Sequence, residues 1–146
     1  MIRSFLIVLI CATPMLADRE EANLQRTIDS LQGTWGVKSM QVAGTTMDPV
    51  SLKSMRYTFD RDVLIDANRP EDAVRLNLDV SSGVAKMETL DRYGNTREGL
   101  IRRSGDSIVM CYVKTDYGTP RQLPPKDFRS TKENGAVLMQ LTPIRK

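Results

Sequence analysis

The chain has 146 residues, 40% of them hydrophobic and 27% charged, the composition of one ordinary globular domain. Its net charge of +3 is a mild excess, and apart from Arg102-Arg103 and Arg145-Lys146 the basic residues are scattered, whereas nucleic-acid binders concentrate them in a patch. Histidine is absent, which excludes Ser-His-Asp and Cys-His catalysis and histidine-ligated zinc.

Residues 1–17, MIRSFLIVLICATPMLA, predict a secretory signal: Arg3 is the basic start, an apolar run follows, and Ala17 precedes the charged DREE. The apolar run is shorter than the ~20 residues a membrane helix needs. The expectation is an exported chain, periplasmic or extracellular, without a membrane span after cleavage. Lipid anchoring at Cys11 is disfavoured, because Ile10 stands where a small residue precedes a lipidated cysteine. Cleavage leaves Cys111 alone, so no internal disulfide is expected. Lying in SIVMCYV, it reads as a small buried hydrophobe.

Residues 18–30 predict a short helix or linker. Leu24, Ile28 and Leu31 recur at i, i+4 and i+7, Glu20 and Glu21 sit near the start, and Gly33 stops it. From residue 31 to 146 the period changes to two. GTWGVKSMQV starts a first strand, AGTTMDP turns it, and PVSLKSM forms one helical turn. MRYTF and VLIDA flank the turn Asp60 to Asp62. In AVRLNLDV, Val74, Leu76, Leu78 and Val80 face one way and Arg75, Asn77 and Asp79 the other, so one face is buried and one wet. KMETL follows, and GLIRRSGDSIVMCYV folds as a hairpin over Ser104-Gly105-Asp106. Gly118 to Lys126, with three prolines, is an irregular loop. DFRSTK and VLMQLTPI flank Asn134-Gly135, which predicts a last hairpin. About eight short antiparallel strands with short connections imply an all-β barrel or sandwich.

The Gly-x-Trp of LQGTWGV after a short helix resembles the entry of lipocalin-like (calycin-type) barrels. The stretches LQGTW, MRYTFDRD, AVRLNL and EGLIRRSGDSIVMCYV together resemble a family of small exported lipocalin-like domains of unknown function, abundant in planctomycete bacteria. The resemblance covers Leu31 to Arg145 and is most specific from Gly99 to Val113, where Gly105, Asp106, Ser107, Ile108, Met110 and Cys111 fit. Arg102 and Arg103 depart from it, since an apolar residue is usual at the second position. The resemblance implies an eight-stranded up-and-down barrel, with Trp35 as a structural plug at its closed end and a basic residue near the end of the last strand, here Arg145, packed across the indole. It carries no catalytic residue.

The residues themselves offer little chemistry. No phosphate-binding loop is present, and Asp60, Asp62 and Asp66 lack the glycine and terminal glutamate of a calcium loop. Glu71-Asp72, Glu88 and Glu98 fall in or beside predicted turns, where solvated surface is expected. No enzyme, cofactor, metal or nucleic-acid partner is therefore expected. Two readings remain. In one, a small apolar ligand sits inside the barrel against Tyr57, Phe59, Leu76, Leu78, Ile108, Met110 and Tyr112, residues that would equally serve a filled core. In the other, the domain binds a protein, for example as a protease inhibitor, through its rim and the loop Gly118 to Pro125 with Tyr117 beside it.

Overall fold

A computed structural model describes residues 13–145, so the expected signal segment and Cys11 lie largely outside the described residues. Helix α1 (Thr13–Leu31) is longer at its start than the sequence predicts. Met15 and Leu16 are exposed on it, Leu24 and Ile28 are half-buried, and Leu31 is buried. No helix among the described residues is long and apolar enough to cross a membrane.

The strands are β1 (Gly33–Val42), β2 (Thr45–Thr46), β3 (Arg56–Asp60), β4 (Val63–Asp66), β5 (Val74–Asp79), β6 (Ala85–Leu90), β7 (Thr96–Ser104), β8 (Ser107–Thr115) and β9 (Val137–Pro143). A one-turn helix, α2 (Pro49–Leu52), separates β2 from β3, and Asp48 caps it by accepting from the Val50 amide. All pairings are antiparallel. Strand β1 pairs with β3 through its first residues and with β9 through Trp35 to Val42, so the sheet closes on itself. With β2 only a two-residue appendage, the fold is a closed eight-stranded up-and-down barrel of the lipocalin-like kind.

Turn chemistry sets the register. Gly105, at φ +60°, takes the first central position of the two-residue turn between Ser104 and Ser107, a position that glycine fills without strain. Arg61 sits at φ +56° between Asp60 and Val63 without that freedom. The Gln32 side chain holds it in place, accepting from the Arg61 amide (2.7 Å) and donating to its carbonyl (3.0 Å).

Strand β5 has the predicted facing: Val74 and Leu76 are buried, Leu78 and Val80 half-buried, and Arg75, Asn77 and Asp79 exposed. A single interior core runs through Trp35, Phe59, Leu76, Ile101, Ile108 and Leu141. A second, smaller core lies outside the barrel, where Phe128 and Ala136 pack on Cys111, Val113 and Leu138. Strand β8 is thus covered on both faces, which is why SIVMCYV reads as one apolar run.

The hairpin expected at Asn134-Gly135 does not form, because residues 127–131 are not a strand. The Asn134 side chain uses the backbone groups that a ladder would need. Its Oδ1 accepts from the Thr131 and Ala136 amides, and its Nδ2 donates to the Arg129 carbonyl. The segment therefore lies as a knotted strap on the outside of β8 and β9.

Candidate binding cup at the open end

The two ends of the barrel differ. At one end Trp35 is 2% exposed, and its Nε1 donates to the Leu31 carbonyl at the end of α1 (2.8 Å). The guanidinium over the indole belongs to Arg103, 4.8 Å from the ring centroid. Arg103 also donates to the Ser30 carbonyl and to the Gly105 carbonyl, both at 2.7 Å. It thereby joins the helix end, the indole and the β7–β8 turn.

This corrects the expectation for Arg145, which is exposed. Strand β9 ends at Pro143, the cross-strand neighbour of Trp35, and Ile144 continues alongside Thr34, so Arg145 lies beyond the ladder. Arg103 pairs with Ile108 on the interior face and reaches the plug from within the sheet. Its neighbour Arg102 points to the outside, over the Phe128 ring at 4.4 Å. Arg102 and Arg103 thus each hold an aromatic ring.

The opposite end is open and holds a cup of about 140 Å³. Leu64, Val74, Met110 and Met139 form its apolar floor, and Tyr57 and Tyr112 stand on its walls. Of the seven interior residues expected to line a cavity, Tyr57, Met110 and Tyr112 do so. Phe59, Leu76 and Ile108 are buried in the packed half beneath the cup, and half-buried Leu78 packs against that core while lining, with Met87, a second pocket of about 390 Å³ beside Arg121, Pro124 and Pro125. The barrel is filled toward Trp35 and hollow toward the rim. Sequence reasoning missed Leu64, Val74 and Met139 as floor, although Val74 belongs to the same alternating face as Leu76.

The rim is polar: Asp66, Arg69, Asp72, Asp91, Tyr93, Asn95, Arg97 and Lys114. One turn orders much of it. The Asp91 carboxylate accepts from the Tyr93 amide, the Asn95 amide and Asn95 Nδ2 at 2.9–3.0 Å, and Asn95 Oδ1 accepts from the Tyr117 amide. Burial works to raise the Asp91 carboxyl, but these hydrogen bonds prevail and hold it below the ordinary carboxylate range. Arg92 donates to Tyr93 Oη (2.7 Å) and stands 2.8 Å from the buried Asp72 Oδ1, as an ion pair off the hydrogen-bond angle.

Burial pushes the Tyr57 hydroxyl up to about 12, with Tyr112 and Asp66 adding to the shift and Arg97 and Arg69 opposing it. Burial also raises Tyr112, against the charge of Arg97. Both phenols keep their protons at neutral pH and can donate into the cup.

Glu98 binds Arg121 on the outer wall at 2.6 Å, Asp62 binds Arg75 at 2.8 Å, and Glu71 and Glu88 are exposed. Among the described residues no three His, Cys, Asp or Glu side chains are placed to hold a metal ion. Cys111 is fully buried, its Sγ donates to the Arg129 carbonyl (3.4 Å), and burial pushes the thiol up to about 11, so it is a packing residue at neutral pH.

The chain matches no protein-family model, no curated protein and no solved structure.

Proposed function

We propose that this is a non-enzymatic, exported lipocalin-like binding protein that holds one small molecule in the open-end cup. The observation that carries the reading is the asymmetry of the barrel. One half is packed behind Trp35, while the other keeps an apolar floor of Leu64, Val74, Met110 and Met139 under a polar rim. A concave apolar site with a few convergent polar groups is the usual form of a small-molecule site. The export part rests on residues 1–17 alone.

Native mass spectrometry of the protein purified from its own host is expected to show a small noncovalent adduct. The reading fails if the protein appears only at its bare mass and titration with toluene also leaves the Met110 and Met139 methyl resonances in place.

One observation favours a second reading, a protein-interaction module acting through the rim. Tyr117 and Leu123, in the segment after β8, are 80% and 82% exposed. A double substitution Tyr117→Ser and Leu123→Ser separates the two. It leaves small-molecule binding intact under the first reading and abolishes partner capture under the second.

A further inference from the structure

We infer that the ligand of the cup is a small monocarboxylic acid with an apolar body, and that Arg97 is the anchor for its carboxylate. The inference rests on the cup being a binding site. Arg97 lies on β7 opposite Thr89 and Lys114, two residues before Gly99. Thr89 is 1% exposed, so this is the interior face of the barrel, and Arg97 is half-buried at the cup wall.

The other cations at the mouth have partners in the protein. Arg69 stands 3.9 Å from Asp66, Arg92 2.8 Å from Asp72, and Lys114 3.1 Å from Asp116. Among the described residues no carboxylate is in ion-pair contact with Arg97, whose described neighbour is Tyr112: the guanidinium interacts with the Tyr112 hydroxyl and lies 6.0 Å from the ring centroid. A partly buried guanidinium without a counter-ion forgoes solvation that an incoming anion can restore.

The anion must be singly charged and make direct contact, because Asp66 and Asp91 also face the mouth and weaken its positive field. The guanidinium fork suits a carboxylate held through two parallel hydrogen bonds. Tyr112 on the adjacent strand β8, and Tyr57 on β3 across the barrel, are protonated at neutral pH and can donate into the cup. Below them the floor is purely apolar. A cavity of about 150 Å³ lined by apolar residues admits benzene, so a cup of about 140 Å³ shared between the apolar floor and the polar rim suits an acid no larger than about the size of benzoate.

The test uses benzoate, its uncharged analogue benzamide, and toluene at neutral pH. Binding is read from the methyl resonances of Met110 and Met139, with those of Ile108, fully buried in the packed core, as the control. Benzoate is expected to bind about tenfold or more tightly than benzamide, the size of one charge-assisted interaction. Arg97→Met should remove that preference while toluene still binds, and Arg97→Lys should keep part of it. The comparison of acid with amide on the native chain holds even if the variants fail to fold. If toluene binds but benzoate shows no preference over benzamide, the Arg97 inference is overturned and the cup stands. If none of the three moves the Met110 and Met139 signals, cup and inference fall together.

Discussion

At the scale of single residues, the closed end depends on a contact that crosses the chain. Trp35→Ala empties a fully packed aromatic site and is expected to cost about 3–5 kcal/mol in chemical denaturation. Arg103→Ala loses two hydrogen bonds and the face of the indole, and should cost about 1–2 kcal/mol. Arg145→Ala should stay within about 0.5 kcal/mol, as for an exposed side chain. Equal losses for the two arginines would contradict the plug as described. Gly99 is the second sensitive position. A Cβ there would collide with the Cys111 carbonyl oxygen and lie 2.6 Å from Tyr112 Cα, backbone atoms that cannot step aside. Gly99→Ala is therefore expected to unfold the β7–β8 pair or lower the melting temperature steeply, whereas Gly83→Ala, with open space around its site, should cost only its backbone strain. Two buried acids set the alkaline limit. Cys111 is raised from 9.0 to about 11 and Tyr57 from 10.0 to about 12, so the folded chain keeps protons that the unfolded chain releases. Their contribution is whole below the unfolded values and is lost as pH rises, first through the Cys111 window and then through that of Tyr57. Denaturant midpoints taken upward from neutral pH should fall in that range, and more shallowly in Cys111→Ala and Tyr57→Phe. Parallel curves for all three proteins would show that neither group is buried as described.

At the scale of elements, alternation and turn residues made most of the strands legible. Val74 to Val80 could be placed face by face because a strand repeats every two residues, and Gly105 announced its hairpin. Two things were not legible. A hairpin signal is local, and the Asn134 side chain redirects it by bonding to Thr131, Ala136 and Arg129, none of which a dipeptide reveals. The identity of the plugging arginine depends on which strands become neighbours at the closed end, a long-range fact absent from any window of sequence. The cup floor, of which only Met110 was foreseen, was hard to read for a related reason. Alternation tells which residues face inward but not at what height the packing stops. The β1–β2 turn offers a further test. Ala43 and Gly44 take φ +49° and +81° in a two-residue turn between Val42 and Thr45, where the first position favours asparagine or glycine. Ala43→Asn is expected to stabilise by about 0.5–1 kcal/mol, because the short polar side chain of asparagine bonds to nearby backbone and tolerates the left-handed region better than alanine does. A destabilised Ala43→Asn would mean that the larger side chain disturbs the strap beside it, where the Ala43 amide donates to the Ala136 carbonyl.

At the scale of the whole molecule, the barrel divides its length between stability and binding. Helix α1, Trp35 and Arg103 close one end, the strap packs on the outer wall of β8 and β9, and the other end is left open over an apolar floor. The strap stabilises a face that would otherwise expose Val113 and Cys111, and it leaves Tyr117 beside the ordered Asp91–Asn95 turn at the mouth. The central claim is that this open half is hollow while the Trp35 half is solid. Xenon tests it most directly, because the gas occupies dry apolar cavities without needing any polar contact. Under xenon pressure the account predicts saturable shifts of the Met110 and Met139 methyl resonances, with those of Ile108 and of the Trp35 indole unmoved. If the Met110 and Met139 signals show no saturable response, or if Trp35 responds equally, the half-hollow barrel is contradicted.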